Sequence, residues 1–176
     1  MAILIATQRL ILKEMTEEDA DHLFELNSDP EVMRYTGDSS FNNIEEASNF
    51  IRSYQDFYKT YRCGRLSTFI KETGEYIGWC GLKYLINKDK TDIGYRFAKP
   101  FWGKGYATES AAACLNDGFN RLHLDKIIAT AMKENLASIN VFKKLGLKFS
   151  KDEDCGCQPG VIYQITKEDW NRSLRV

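Results

Sequence analysis

Between Leu66 and Phe97 the sequence leaves little choice of architecture. Three β-rich segments, LSTFIK (66–71), YIGWCGLKYL (76–85) and TDIGYRF (91–97), are separated only by the polar turns ETGE and INKDK. Connections this short join antiparallel neighbours, so the stretch reads as an antiparallel meander. Gly78, Gly81 and Gly94 weaken the strands that hold them. They mark bulges or places where another backbone comes close.

Helices flank the meander. TEED (16–19) predicts a helix start with Thr16 as N-cap and Asp19 three residues on, and SDPEV (28–32) ends that helix. From Ile44 to Tyr61, apolar and aromatic residues recur at spacings of three and four, which predicts a second helix with one buried stripe. After the meander come a helix (107–122), a strand KIIATAM (126–132), a short helix (136–145) closed by Gly146, and two strands near 147–152 and 161–166. TKED (166–169) is a further possible capping box. The N-terminal run through RLILK (9–13) reads as a first strand and not as a signal peptide, because no basic segment precedes its apolar start. The expected fold is α/β (α+β): about seven strands in a mixed, mostly antiparallel sheet with four main helices packed on it, in one domain over 1–176.

A formal net charge of −1 argues against a protein that holds nucleic acid through a general basic surface. No apolar run has the length of a membrane span. Five scattered cysteines fit reduced thiols and a cytoplasmic location better than a disulfide framework. One C-x-C at Cys155 and Cys157, far from both histidines, does not supply a metal site, and the surrounding DEDCGCQPG reads as a polar turn between strands.

The stretch most suggestive of chemistry is PFWGKGYATES (100–110). Two glycines flank Lys104 just before a helix, and no acidic residue occurs from Ala98 to Thr108. A helix N-terminus offers unpaired N–H groups and partial positive charge, and glycine lets a ligand approach the backbone. This suits a phosphate or pyrophosphate, with Lys99 and Lys104 adding positive charge. A plain tight turn also explains the glycines. The run is not a Walker A loop, since Lys104 is followed by Gly105, and it lacks the parallel setting of a dinucleotide fingerprint. Glu109, just inside the helix, suits the dipole without touching a ligand. Some thirty residues on, ENLASINVFKKLGL (134–147) places Asn135 as a helix cap and Ser138 and Phe142 on one face.

Together these segments resemble the GNAT superfamily of N-acetyltransferases, in particular its Rim-type branch, which acetylates ribosomal-protein N-termini. The resemblance runs through residues 7–35, 93–110 and 135–149. It implies that acetyl-CoA is the co-substrate and that N–H groups of Gly103, Lys104, Gly105, Tyr106, Ala107 and Thr108 hold its pyrophosphate. Trp102 stands where the superfamily usually has Gln or Arg, as in the Rim-type branch. It further implies that the fourth and fifth strands splay apart. The backbone groups of Phe97 and Ala98 would then be free to pair with pantetheine, with Asn135, Asn140 and Phe142 nearby. Helix capping and a solvated face explain the two asparagines equally well.

Acetyl transfer to an amine needs a neutral amine, a polarised carbonyl and a proton for the leaving thiolate; it needs no enzyme nucleophile. Many superfamily members supply that proton from a tyrosine at the position of Phe142, which has none to give. Ser138, one turn earlier, is the candidate acid. Asp92 is a candidate base, although a hairpin-end charge near Lys90 explains it more simply, and Glu14 and Glu31 are alternatives. The segment 28–43, with Asp29, Glu31 and Asp38, is expected to wall the acceptor site. The resemblance implies a primary amine as acceptor, on a small molecule or a protein N-terminus, and a monomer or homodimer is expected. Two other readings stay open at this point: a non-catalytic acyl-CoA sensor or assembly module, and a domain that binds a different nucleotide.

Overall fold

A computed structural model describes residues 4–155 and 158–174. Cys157 lies outside them. The meander is the centre of a larger sheet. The strands are β1 (Leu4–Ala6), β2 (Leu10–Glu14), β3 (Arg65–Ile70), β4 (Tyr76–Leu85), β5 (Lys90–Phe97), β6 (Lys126–Met132), β7 (Lys148–Asp152) and β8 (Gly160–Thr166). They lie in the order β1-β2-β3-β4-β5-β6-β8-β7. Every neighbouring pair is antiparallel except β5 and β6. The helices are α1 (Ala20–Ser28), α2 (Pro30–Met33), α3 (Ile44–Tyr61), α4 (Tyr106–Asn120), α5 (Leu136–Lys144) and α6 (Lys167–Ser173). Among the described residues no helix is long and apolar enough to cross a membrane.

Among the described residues, eight strands and six helices thus replace the seven and four expected, and each addition has a local cause. The N-terminal run is a hairpin, not one strand, because Thr7 turns the chain. Its N–H donates to Leu10 O and its Oγ1 accepts from Leu10 N–H, both at 2.9 Å. The break at 28–32 holds the short α2, with Asp29 accepting from Glu31 N–H at 2.9 Å and Pro30 in the first turn. Thr166 caps α6 by accepting from Asp169 N–H at 3.1 Å. Thr16 N–H donates to Asp19 Oδ2 at 2.9 Å, opening a short 3-10 turn that runs into α1.

Side chains alternate across the sheet. On one face Trp79 of β4 packs with Ala20 and Leu23 of α1 and Ala47 and Ile51 of α3. On the other, the adjacent Cys80 meets Cys114 of α4, with the sulfurs 3.9 Å apart. The meander glycines serve close approach, as expected. A Cβ on Gly94 would lie 2.7 Å from the Arg65 guanidinium, which crosses the strand there.

The one parallel pair is short. β5 and β6 match only at Thr91↔Ile127 and Asp92↔Ile128. Beyond Asp92, β5 continues to Phe97 paired with β4 alone, Gly78 facing Phe97. The expected splay is therefore present, between β5 and β6 in the eight-stranded count. It opens toward the end of β5 from which the chain enters the glycine loop.

Candidate active site

The glycine loop is built around an incomplete helix end. Gly103 and Gly105 both adopt positive φ, +72° and +82°, where glycine is the least strained residue. The first helical bond runs from Glu109 N–H to Gly105 O, at 3.0 Å. Among the described residues, no protein group accepts from the N–H groups of residues 103–108, and the N-cap Gly105 offers no side chain. Consecutive donors without partners at a helix N-terminus form an anion site.

A latch behind the loop holds that shape. Glu109 accepts from Thr7 Oγ1 at 2.6 Å, from Arg9 N–H at 2.9 Å and from Arg9 Nε at 2.7 Å. Arg9 Nη1 also donates to Lys104 O at 3.0 Å, and the guanidinium lies 4.6 Å from the Tyr106 ring centroid. Burial alone would raise the Glu109 carboxyl, but the bonds from Thr7 and Arg9 hold it below the ordinary glutamate range. Glu109→Gln should therefore weaken binding of a pyrophosphate-bearing ligand at this loop about three- to tenfold by loosening the loop, with only a small change in Tm because the pair is partly exposed. Calorimetric titration and thermal unfolding on the same samples read both effects. The two loop lysines differ: Lys99 pairs with Glu31 at 2.5 Å, so Lys104 is the one left to face an anion.

The strand edge at the gap departs from expectation. Ala98 N–H is not free: it donates to Ile77 O at 2.9 Å, continuing the β4–β5 ladder. Antiparallel ladders alternate, so the backbone groups that turn from β4 toward the gap belong to Tyr95 and Phe97. The carbonyl of Phe97 already accepts from Trp102 Nε1 at 2.6 Å, which ties the loop to the strand end. The N–H groups of Tyr95 and Phe97 are the donors that line the gap.

Tyr95 also reaches the far side. Its hydroxyl makes a long contact of 3.5 Å with Ser138 O in the first turn of α5, and its ring meets Phe142 edge-on, with centroids 6.5 Å apart. Burial pushes the hydroxyl well above its ordinary pKa, so it keeps its proton. On α5, Asn135 is the N-cap, accepting from Ser138 N–H at 3.1 Å. That commits its carbonyl oxygen and leaves its amide nitrogen available. Asn140 lies on the exposed face, and Phe142 is buried against Tyr95 and Tyr163. The helix ends as Gly146 predicts, with Gly146 N–H bonded to Lys143 O and Leu147 N–H to Phe142 O, both at 3.0 Å. Ser138 and Tyr95 thus stand together at the gap. Sequence reasoning missed Tyr95, although it lies two residues before Phe97 and so on the same face of the strand.

Asp92 is neither a hairpin-end charge nor a free base. Its side chain is on the α1–α3 face, where Oδ2 pairs with Arg65 Nη2 at 2.6 Å. Both side chains are nearly sealed from solvent, at 12% and 10% exposure. Burial pushes the carboxyl up against the pull of Arg65.

The comparisons agree with this geometry. Residues 9–148 match the model of the acetyltransferase (GNAT) domain family. The uncharacterized N-acetyltransferase p20 of Bacillus licheniformis is 35% identical over 143 residues, 81% of this chain and 80% of its own. A crystal structure of a GNAT-family acetyltransferase from Bacillus anthracis superposes with a TM-score of 0.81 at 25% identity, over 94% of this chain and 99% of its own. RimL, a ribosomal L7/L12 alpha-N-protein acetyltransferase, shares the fold at a TM-score of 0.80 and 15% identity, over 94% and 95% of the two chains. A glycine loop at a helix N-terminus, a splayed parallel pair and these matches together place the chain in the GNAT family of acetyltransferases.

Proposed function

We propose that the protein moves an acetyl group from acetyl-CoA to a primary amine by direct attack on the thioester. The observation that carries this reading is the row of N–H groups at 103–108, without a protein acceptor among the described residues, set at the mouth of the gap between β5 and β6. Those groups and Lys104 hold the pyrophosphate. Pantetheine runs along β5 and pairs with the backbone of Tyr95 and Phe97, aided by the amide nitrogen of Asn135. An N–H of the same edge polarises the thioester carbonyl as negative charge develops on its oxygen.

The amine nitrogen attacks the carbonyl carbon, the carbon–sulfur bond breaks, and the amine's surplus proton leaves to water. The thiolate takes a proton from Tyr95, with Ser138 beside it as an auxiliary donor, and water then returns a proton to the tyrosinate to restore the resting enzyme. A tyrosine on β5 thereby replaces the tyrosine that many GNAT superfamily members carry at the place of Phe142. Asp92 enters as a structural charge held by Arg65, not as the base. The reading takes residues 1–176 as one domain in the cytoplasm, where the free thiols of Cys63, Cys80 and Cys114 persist.

Titration with acetyl-CoA, followed by thiol release in the presence of a panel of amines, tests the reading. Tyr95→Phe should lower kcat about a hundredfold, the lower range for a lost general acid, and leave acetyl-CoA affinity nearly unchanged. Ser138→Ala should lower kcat less, and an unchanged value removes Ser138 from the mechanism. Binding without turnover on any amine would instead support an acyl-CoA sensor, which Phe142 favours. Displacement of acetyl-CoA by ATP would point to a nucleotide-binding domain.

A further inference from the structure

Arg96 stands on β5 between Tyr95 and Phe97, and its side chain turns to the opposite face, toward Trp79 and α1. Only 9% of it is exposed. Nη2 donates to Asp38 Oδ2 at 2.6 Å, Nη1 donates to Asn27 Oδ1, and the guanidinium carbon lies 5.2 Å from the Trp79 ring centroid. Among the described residues, Arg96 Nε, Trp79 Nε1 and the Tyr76 hydroxyl are buried with no hydrogen-bond partner. All three can donate a hydrogen bond, so this face of the sheet is short of acceptors.

The contrast with Arg65, which also lies against Trp79, is informative. Burial works against the charge of Arg65, yet the buried carboxylate of Asp92 carries it above its ordinary pKa. Burial pulls Arg96 below its ordinary pKa, and Asp38 does not reverse this. Asp38 is a weak counter-ion because its own side chain is 66% exposed.

Asp38 also sits in a telling place. The neighbouring Gly37, at φ +72°, is so close to the far side of the gap that a Cβ there would lie 3.6 Å from Met132 Cε of β6 and 3.9 Å from Cys155 O. Gly37 and Asp38 thus bridge β6 and β5 on the face opposite α4 and α5, with the Asp38–Arg96 pair as the fastening.

Resting on the acetyl-transfer reading, we propose that Arg96 selects the acceptor: the amine substrate also carries a carboxylate, which replaces Asp38 on the Arg96 guanidinium. The exchange releases the Gly37–Asp38 bridge and admits the amine to the gap beside Tyr95 and Phe97. A carboxylate supplies the charge and the two acceptor oxygens that a guanidinium fork binds best. A polyamine would instead set a second cation against a buried one.

Steady-state acetylation of α-amino acids and short peptides, each beside its C-terminal amide, tests the proposal, with acetyl-CoA titrated calorimetrically into every variant. The parent should favour free acids over amides by about tenfold or more in kcat/KM, a typical worth for a charge-assisted pair. Arg96→Gln should bring that ratio to about one while acetyl-CoA affinity is kept. Asp38→Asn, at an exposed position that tolerates change, should lower KM for the acids about threefold by removing the competing anion, with a smaller gain for amides. Equal use of acids and amides by the parent, or an Asp38→Asn variant with no differential gain, overturns this proposal alone. A flat acetyl-CoA titration, or no turnover of any amine, overturns the acetyl-transfer reading and this proposal with it.

Discussion

Glutamate in place of Gly105 is expected to abolish measurable acetyl-CoA binding in a protein that still folds. Gly105 is the N-cap of α4, at φ +82°, and a Cβ there would meet only Arg9 Nη2, at 3.4 Å. The space is available, so the folding cost is mainly that of a positive φ, about 1–2 kcal/mol. Binding suffers far more. A carboxylate about 4 Å from a pyrophosphate charge, at an effective dielectric of about 20, costs about 4 kcal/mol, or roughly a thousandfold in affinity. Arg9 relieves only part of this charge, because Nε and Nη1 are already engaged by Glu109 and Lys104 O and only Nη2 faces the new side chain. Gly105→Asn separates the two effects, because asparagine tolerates positive φ and adds no charge. Calorimetry should show clear acetyl-CoA binding by Gly105→Asn and none by Gly105→Glu. Equal affinity in both would mean that the loop is a turn and that the anion binds elsewhere.

The parts of the molecule governed by near neighbours in sequence were legible. Thr16 with Asp19, Asn135 with Ser138 and Thr166 with Asp169 each sit three residues apart and start a helical segment. Gly146 ends α5, and the meander turns fix three strands in antiparallel order. The bare helix start at the loop glycines was legible too, because positive φ before a helix is a local property. What escaped was set by contacts distant in sequence. Arg9 meets Glu109 across 100 residues and Arg65 meets Asp92 across 27, and nothing in either local pattern reveals such a partner. Ala98 looked available as the residue after a strand, but the ladder runs one rung further and takes its N–H. Tyr95 and Arg96 are adjacent residues of one strand with opposite facings, so the same segment would serve the coenzyme side and the acceptor side of the gap in the proposed reaction. Strand alternation made that division readable once the faces were known; the sequence alone does not say which face is which.

Removing the Asp92 charge is expected to cost far more in stability than a surface ion pair would. Asp92↔Ile128 is the last rung joining β5 to β6, so the residue marks the apex of the splay. Arg65 reaches it from β3, donating from Nη2 to Oδ2 at 2.6 Å and from Nη1 to Asp92 O at 3.3 Å, and it bonds Gly81 O on the way. Three strands are thereby fastened where the sheet divides. Asp92→Asn preserves shape but leaves a buried guanidinium without its anion, a change that typically costs about 3–5 kcal/mol. Urea unfolding should show that loss. Arg65→Met combined with Asp92→Leu should recover part of it, because neither buried charge then remains, although the Gly81 and Asp92 carbonyls and the Tyr54 hydroxyl lose the Arg65 side chain as a partner. The same variant decides the role of the carboxylate in catalysis. If Asp92→Asn keeps its stability while kcat falls and the acid limb of the pH profile disappears, then Asp92 is the amine's base, and Arg65 must release it during turnover. If stability falls as expected and the surviving folded enzyme keeps most of its kcat, the pair acts by holding the gap open in the register that Tyr95 and Arg96 require.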